Sequence, residues 1–327
     1  MISPNQTHAR ITPQRVRRLT ADDLGVTPPE AEATHILPEF GHIEPLANDD
    51  PILEMVRDLA GDYGGIIFQG PPGTSKSWYA VRAAATLAAG EPDNWRPVQF
   101  HPSYQYEDFI EGFVPTTSGG YELVPKHFLE LCQRARCEPG ATVVLVIDEL
   151  SRGDPGRVFG EALTYIERSK RGIPFRLASG TECVVPDNLL ILATMNPLDR
   201  GVDEVDAALE RRFAKRRFDP EESLLQRFLE DAGMELSLQQ RVITFFKAIN
   251  GRARTNPYAS LGHTYFIGCA DEADLRRLWE HQLTFHFEKA FRLSPDELES
   301  VFREWNRVLD VEGSEEGTAE SGEAGAP

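Results

Sequence analysis

An apolar run that breaks into a glycine-rich loop and restarts as an alanine-rich segment permits few folds, and this chain has one at GGIIFQGPPGTSKSWYA (64–80). The loop reads Gly70-Pro71-Pro72-Gly73-Thr74-Ser75-Lys76-Ser77. It follows the phosphate-loop pattern G-x-x-x-x-G-K-[ST], except that Ser75 stands where the second glycine belongs. Residues 64–69 predict a short buried strand. Residues 77–90 predict a helix that ends at Gly90. Strand, loop and helix in that order favour a phosphate cradle over an ordinary Gly/Pro turn. Gly70 and Gly73 let the backbone aim its N–H groups inward, and the helix start adds more donors. Lys76 has the reach for β- and γ-phosphates, and the Ser77 hydroxyl suits Mg²⁺. The candidate nucleotide-binding set is Gly70, Pro71, Pro72, Gly73, Thr74, Ser75, Lys76, Ser77 and Trp78. Serine is small, so Ser75 is expected to be tolerated.

A second segment supplies the acid chemistry. TVVLVIDELSRGD (142–154) predicts a buried strand at Val143–Ile147 with two carboxylates at its C-terminal edge. Open α/β sheets bind ligands at that edge. Asp148 is the candidate metal ligand beside Ser77, and Glu149 the candidate base that polarises water. A third apolar run, NLLILATMNPLDRG (188–201), ends at Asn196, placed to hydrogen-bond a γ-phosphate or its attacking water. VDEVDAALERRFAKRRF (202–218) then predicts a helix ending in Arg211 and Arg212, followed by a short strand. Paired arginines there suit an arginine finger that reaches a neighbouring subunit's nucleotide. The plainer reading is favourable charge at a helix C-terminus.

Taken together these motifs resemble the AAA+ ATPases, and within them the McrB-like branch, the motor subunits of modification-dependent restriction systems. The resemblance rests on IDELSRGDPGRVFGEALTYIE (147–167), MNPLDR (195–200), DAALERRF (206–213), YEDFIEGF (106–113) and LGHTYF (261–266), and covers about residues 50–290. It implies an α/β P-loop NTPase with a parallel-sheet core and a C-terminal helical lid. It also implies a hexameric or similar ring with each site at a subunit interface, and ATP or GTP hydrolysed with Mg²⁺. The M-N-x-x-D signature adds Asp199 to the catalytic candidates Glu149, Asn196, Arg211 and Arg212. An McrC-like nuclease is the implied partner. Relatives in this branch can use GTP and most AAA+ proteins use ATP, so the base stays open.

The expected division is a Pro-rich arm (1–45), an α/β core (46–219), a helical lid (220–309) and a disordered acidic tail (310–327). Net charge is −18, which argues against autonomous DNA binding, because phosphate neutralisation drives that affinity. Typical branch members carry a large N-terminal DNA-reading domain, whereas about fifty residues precede the core here. DNA contact is therefore expected only through the ring or a partner. No apolar run reaches membrane-spanning length and no signal peptide is visible, so a cytoplasmic protein is expected. Cys132, Cys137, Cys183 and Cys269 fit no zinc pattern and read as free thiols. Tyr104, Tyr106, Phe109 and Phe113 are candidates to grip a polymer in the pore, with Phe109 and Phe113 alternatively core residues at i, i+4. IPFRLASGTECVVP (173–186) predicts a hairpin across Ser179-Gly180. Two other readings share these motifs: a MoxR-like ATPase that remodels proteins, and a nucleotide-gated scaffold with little turnover.

Overall fold

The computed structural model describes residues 43–117, 119–198, 209 and 211–309. The N-terminal arm up to His42, the predicted helix at 202–208, Asp199 and the tail from Asp310 lie outside the described residues. The described strands are β1 (Gly65–Gln69), β2 (Trp95–Gln99), β3 (Glu111–Pro115), β4 (Tyr121–Pro125), β5 (Val143–Asp148), β6 (Phe175–Arg176), β7 (Glu182–Cys183), β8 (Leu189–Met195) and β9 (Phe213–Arg217). Five of them form one parallel sheet in the order β2-β5-β8-β1-β9. Parallel neighbours need crossovers, which cover both faces and demand apolar residues at consecutive positions. Val143 to Ile147 and Leu189 to Met195 meet that demand, since all are buried.

Side-chain parity sorts the strands into two cores. Ile67, Leu145, Ile147, Ile191 and Ala193 face one side, with Phe100, Phe128 and Phe159. Ile66, Phe68, Val144, Val146, Leu190 and Leu192 face the other, against helix Lys76–Leu87. That helix presents Ala80, Ala83 and Ala84, whose small side chains let it lie close to the sheet. The preceding helix, Pro51–Leu59, starts at Asp50, whose Oδ1 accepts from the Ile52 and Leu53 amides.

Two small hairpins decorate the sheet. β3 and β4 pair antiparallel, as do β6 and β7, the latter across Ser179-Gly180 as expected. A buried guanidinium ties the second hairpin down. Arg171 donates to the carbonyls of Ile166, Pro186, Leu189 and Gly64, joining the hairpin's two ends to the starts of β8 and β1. Burial lowers its pKa to about 10, so it stays charged at neutral pH.

From Glu222 onward the described chain is helical, with helices Glu222–Asp231, Leu236–Arg252, Glu272–Leu278, Thr284–Ala290 and Pro295–Leu309. One π-helical turn, Trp279–Leu283, joins the third to the fourth. These helices enclose a separate core, in which Trp279 stacks on Trp305 at 4.7 Å and Phe245 packs edge-on to Trp305 at 5.0 Å.

Arg171→Met keeps the aliphatic stem and removes the guanidinium donor from four backbone carbonyls, of which Pro186 also accepts from Leu189 N–H. Unfolding free energy in a denaturant titration is expected to fall by about 3 kcal/mol or more. A change below about 1 kcal/mol would mean the guanidinium is not holding the hairpin.

Candidate nucleotide site

The candidate residues meet where the register of the sheet sends them. Ile147 pairs with Ala193 and Gln69 with Met195, so β5, β8 and β1 end in line. Asp148 and Thr194 continue the parity of Val146 and Leu192, the face covered by helix Lys76–Leu87. Ser77, on the first turn of that helix, donates to Asp148 Oδ1 at 2.6 Å. Thr194 donates to the same oxygen at 2.6 Å. One carboxylate oxygen thus gathers hydroxyls from a helix and a neighbouring strand. The loop lies above them. Gly73 has φ +76°, a conformation glycine adopts without strain. Lys76 Nζ donates to the Pro71 carbonyl at 2.6 Å, and Thr74 Oγ1 donates to it at 2.9 Å. Gly70 N–H reaches the Met195 carbonyl at 3.1 Å, which fastens the loop to the end of β8. Trp78 is half exposed, with the Arg82 guanidinium 4.2 Å from its ring centroid.

Glu149 turns out of β5 in the left-handed region, φ +57° and ψ +44°. Its N–H donates to Thr194 Oγ1 at 3.1 Å, and its carboxylate takes Arg152 Nε at 3.2 Å. Thr194 therefore accepts from one acidic residue's backbone and donates to the other's side chain. Asn196 is buried beside the loop, its Oδ1 accepting from Leu198 N–H at 3.1 Å. With Pro71 and Pro72 it lines a cavity of about 80 Å³ that His286 and Lys289 of the helical part close from the far side.

Ser75 occupies the left-handed region too, φ +64° and ψ +14°. For an L-residue this costs roughly 1–2 kcal/mol relative to glycine. Its hydroxyl lies 2.9 Å from Nε2 of His263. Burial lowers the His263 pKa, opposed by Glu221, so the ring is neutral. The Glu221 N–H donates to Nδ1 at 3.2 Å, which leaves the proton on Nε2 to be donated to Ser75.

Arg211 and Arg212 are not equivalent. They form the turn before β9, with Arg211 exposed. The Arg212 side chain is mostly buried, 3.6 Å from Glu167 of the same chain. The Arg212 carbonyl accepts from Gly64, at the edge of the sheet opposite the loop. Of the candidate gripping aromatics, Phe109 is fully buried and Tyr104 and Tyr106 pack against the same core, whereas Phe113 is 70% exposed. The helix Tyr106–Phe109 stops short, so Phe113 falls on β3 and not on a helical i, i+4 face. Tyr121, opposite Pro115 on β4, is 77% exposed. Arg276 and Arg277 are exposed and pair with Glu272 and Asp274 of their own helix. The four cysteines are free thiols, and among the described residues no group of three or more potential metal-ligating side chains gathers.

Comparison with known proteins gives the family. The AAA domain family (dynein-related subfamily) matches residues 65–213. The type IV methyl-directed restriction enzyme EcoKMcrB subunit of Escherichia coli (strain K12) is 36% identical over 234 residues, 67% of this chain and 50% of that protein. This chain is a McrB-like AAA+ protein. The type II restriction enzyme BsuMI component YdiS of Bacillus subtilis (strain 168) is 27% identical over 188 residues, 45% of this chain and 55% of that protein. The chain spans about half the length of these curated relatives.

Within this McrB-like site Thr194 is the residue that motif reading missed. Its one signal was a hydroxyl inside the apolar run LLILATM. Thr194→Val keeps the shape and leaves the Glu149 N–H without its acceptor. Unfolding free energy is expected to fall by about 1–3 kcal/mol, and by less in Thr194→Ser, which retains the hydroxyl. Equal losses in the two variants would show that packing, not the hydroxyl, matters there.

Proposed function

We propose that the chain is a ring-forming nucleoside triphosphatase whose hydrolysis drives a motor in a restriction system, working with a DNA-cleaving partner. The observation that carries the hydrolytic reading is the convergence on Asp148 of the loop serine and the strand threonine, with Glu149 beside them. Lys76 and the loop amides bind phosphate charge. Ser77 Oγ and Asp148 Oδ1 present two hard oxygen donors 2.6 Å apart, leaving other positions to water and phosphate as Mg²⁺ prefers. Bound magnesium would neutralise charge between the β- and γ-phosphates. Glu149 accepts the proton of the attacking water. Asn196, at the end of β8, orients that water or the γ-phosphate.

The arginines complete the site from outside. β1 and β9 run parallel with Gly65 opposite Phe213, so Arg211 and Arg212 stand at the start of β1 and the loop at its end. Five residues of strand separate those two edges by roughly 16 Å. A neighbouring copy's loop is the natural target, and exposed Arg211 is the better placed of the pair. Both relatives described above are named as parts of restriction enzymes, which favours this reading over a protein-remodelling one. Among the described residues no helix is long and apolar enough to cross a membrane. The β3–β4 hairpin, with Phe113 and Tyr121 exposed, is the candidate contact for a threaded polymer.

Phosphate release with ATP and with GTP tests the hydrolytic reading. Lys76→Ala is expected to weaken nucleotide binding at least ~10-fold in calorimetry. Glu149→Gln is expected to bind nucleotide and lose ~10²–10⁴-fold in turnover. Unchanged binding in the first variant, or near-parental turnover in the second, would refute these assignments.

The interface reading has its own test. Specific activity is expected to rise with protein concentration across assembly, since an arginine finger contributes ~10³–10⁵-fold in rate. The Arg211→Ala/Arg212→Ala double variant and Lys76→Ala, each inactive alone, are expected to regain part of the activity when mixed. A mixture that stays inactive while light scattering shows mixed assemblies would sink it.

A further inference from the structure

The turn that follows Leu261 in the helical part sits directly on the phosphate loop. Gly262 lies so near the carbonyls of Pro72 and Gly73 that a Cβ there would collide with the Gly73 oxygen. Thr264 N–H donates to that oxygen at 3.0 Å. The Tyr265 ring covers Gly73, close enough to stand 2.9 Å from any added Cβ. His263, 1% exposed, faces Ser75 Oγ at 2.9 Å, and its other nitrogen takes the Glu221 N–H at the entry to helix Glu222–Asp231. One imidazole therefore touches the loop and the junction through which the chain passes from the sheet to the helices. A glycine at position 75 would need no support for a positive φ and would offer His263 nothing. The serine needs support, and its hydroxyl is what the imidazole N–H finds.

We propose that Ser75 and His263 form a latch that holds the phosphate loop in its nucleotide-receiving shape and ties that shape to the seat of the helical lid. His263 is a positioning residue that acts through Ser75. The lid and the loop then move together, and a lid that lifts leaves Ser75 in a strained conformation with its hydroxyl unpaired. The binding consequence rests on the nucleotide reading above. The mechanical coupling of loop and lid does not.

Two measurements on Ser75→Gly, His263→Ala, their combination and His263→Gln separate these. The first is amide hydrogen exchange without nucleotide, and the second is calorimetry with MgADP, a ligand that needs no turnover. His263→Ala is expected to speed exchange of the segment 71–78 and to weaken MgADP binding, each about tenfold, the size of one lost hydrogen bond at a strained residue. Ser75→Gly is expected to speed exchange of segment 261–266. In the Ser75→Gly background the His263→Ala step should shrink to within about threefold, because contacting residues that share an interaction are not additive. His263→Gln offers one acceptor and one donor and should recover most of the parental behaviour.

Equal effects of His263→Ala with and without Ser75→Gly would overturn the latch. Unchanged exchange of 71–78 in His263→Ala would do the same. Should His263→Ala fail to fold by circular dichroism, Ser75→Gly decides: unchanged exchange at 261–266 overturns the proposal. If the parent binds no MgADP while exchange remains coupled, the nucleotide reading falls and the latch stands.

Discussion

The parallel register of β5, β8 and β1 is the constraint from which the rest follows. Because Ile147 pairs with Ala193 and Gln69 with Met195, the three strands release their chains at one level. A slip of one residue would turn Asp148 and Thr194 to the opposite face, away from Ser77, since side chains alternate with period two. Burial on both faces forbids that slip. The apolar runs thus align the polar atoms that come after them, and the packing that stabilises the sheet also sets the 2.6 Å contacts at Asp148.

Two non-glycine residues at this edge, Ser75 and Glu149, adopt left-handed backbone. Such residues persist where surrounding contacts over-determine them, and they cluster at sites where geometry matters. Each has its own support here. Glu149 is held by Thr194 at its N–H and by Arg152 at its carboxylate. Ser75 is held by His263 from the helical part. The first support comes from inside the sheet and is as rigid as the register. The second depends on a separate hydrophobic core staying seated against the loop, so the two strained positions differ in what can disturb them.

Much of this was legible in the sequence because local physics sufficed. Val143 to Ile147 is an apolar β-forming run ended by charges, and its meaning does not depend on the fold. The loop between a strand and an alanine-rich helix reads as directly. What escaped had distant partners or ordinary local explanations. Ser75 meets a histidine 188 positions away, and nothing near either residue announces the pairing. Thr194 is a good β-former, so a threonine in a strand raises no question. Arg171, in SKRGIP, looks like a surface charge, yet it is buried because four carbonyls at chain reversals converge on it. Phe109 and Phe113 have helical spacing, but the helix ends at Phe109, and only the fold shows that the second ring sits on an exposed hairpin.

The same register that gathers the acid groups at one edge of the sheet keeps Arg211 and Arg212 at the other. Strands that run parallel place their beginnings together as surely as their ends. Arg211 and Arg212, at the start of β9, are therefore bound to the edge where β1 begins, and Gly64 N–H fixes the Arg212 backbone there. A side chain cannot cross a strand's length of roughly 16 Å to its own loop. Lengthening the arginine's stem would not help, because the buried sheet lies between. Besides Lys76 of the loop itself, the helical part brings Lys289 to the cavity next to Asn196. The fold thus gathers the acid groups at one edge of the sheet and holds Arg211 and Arg212 at the other.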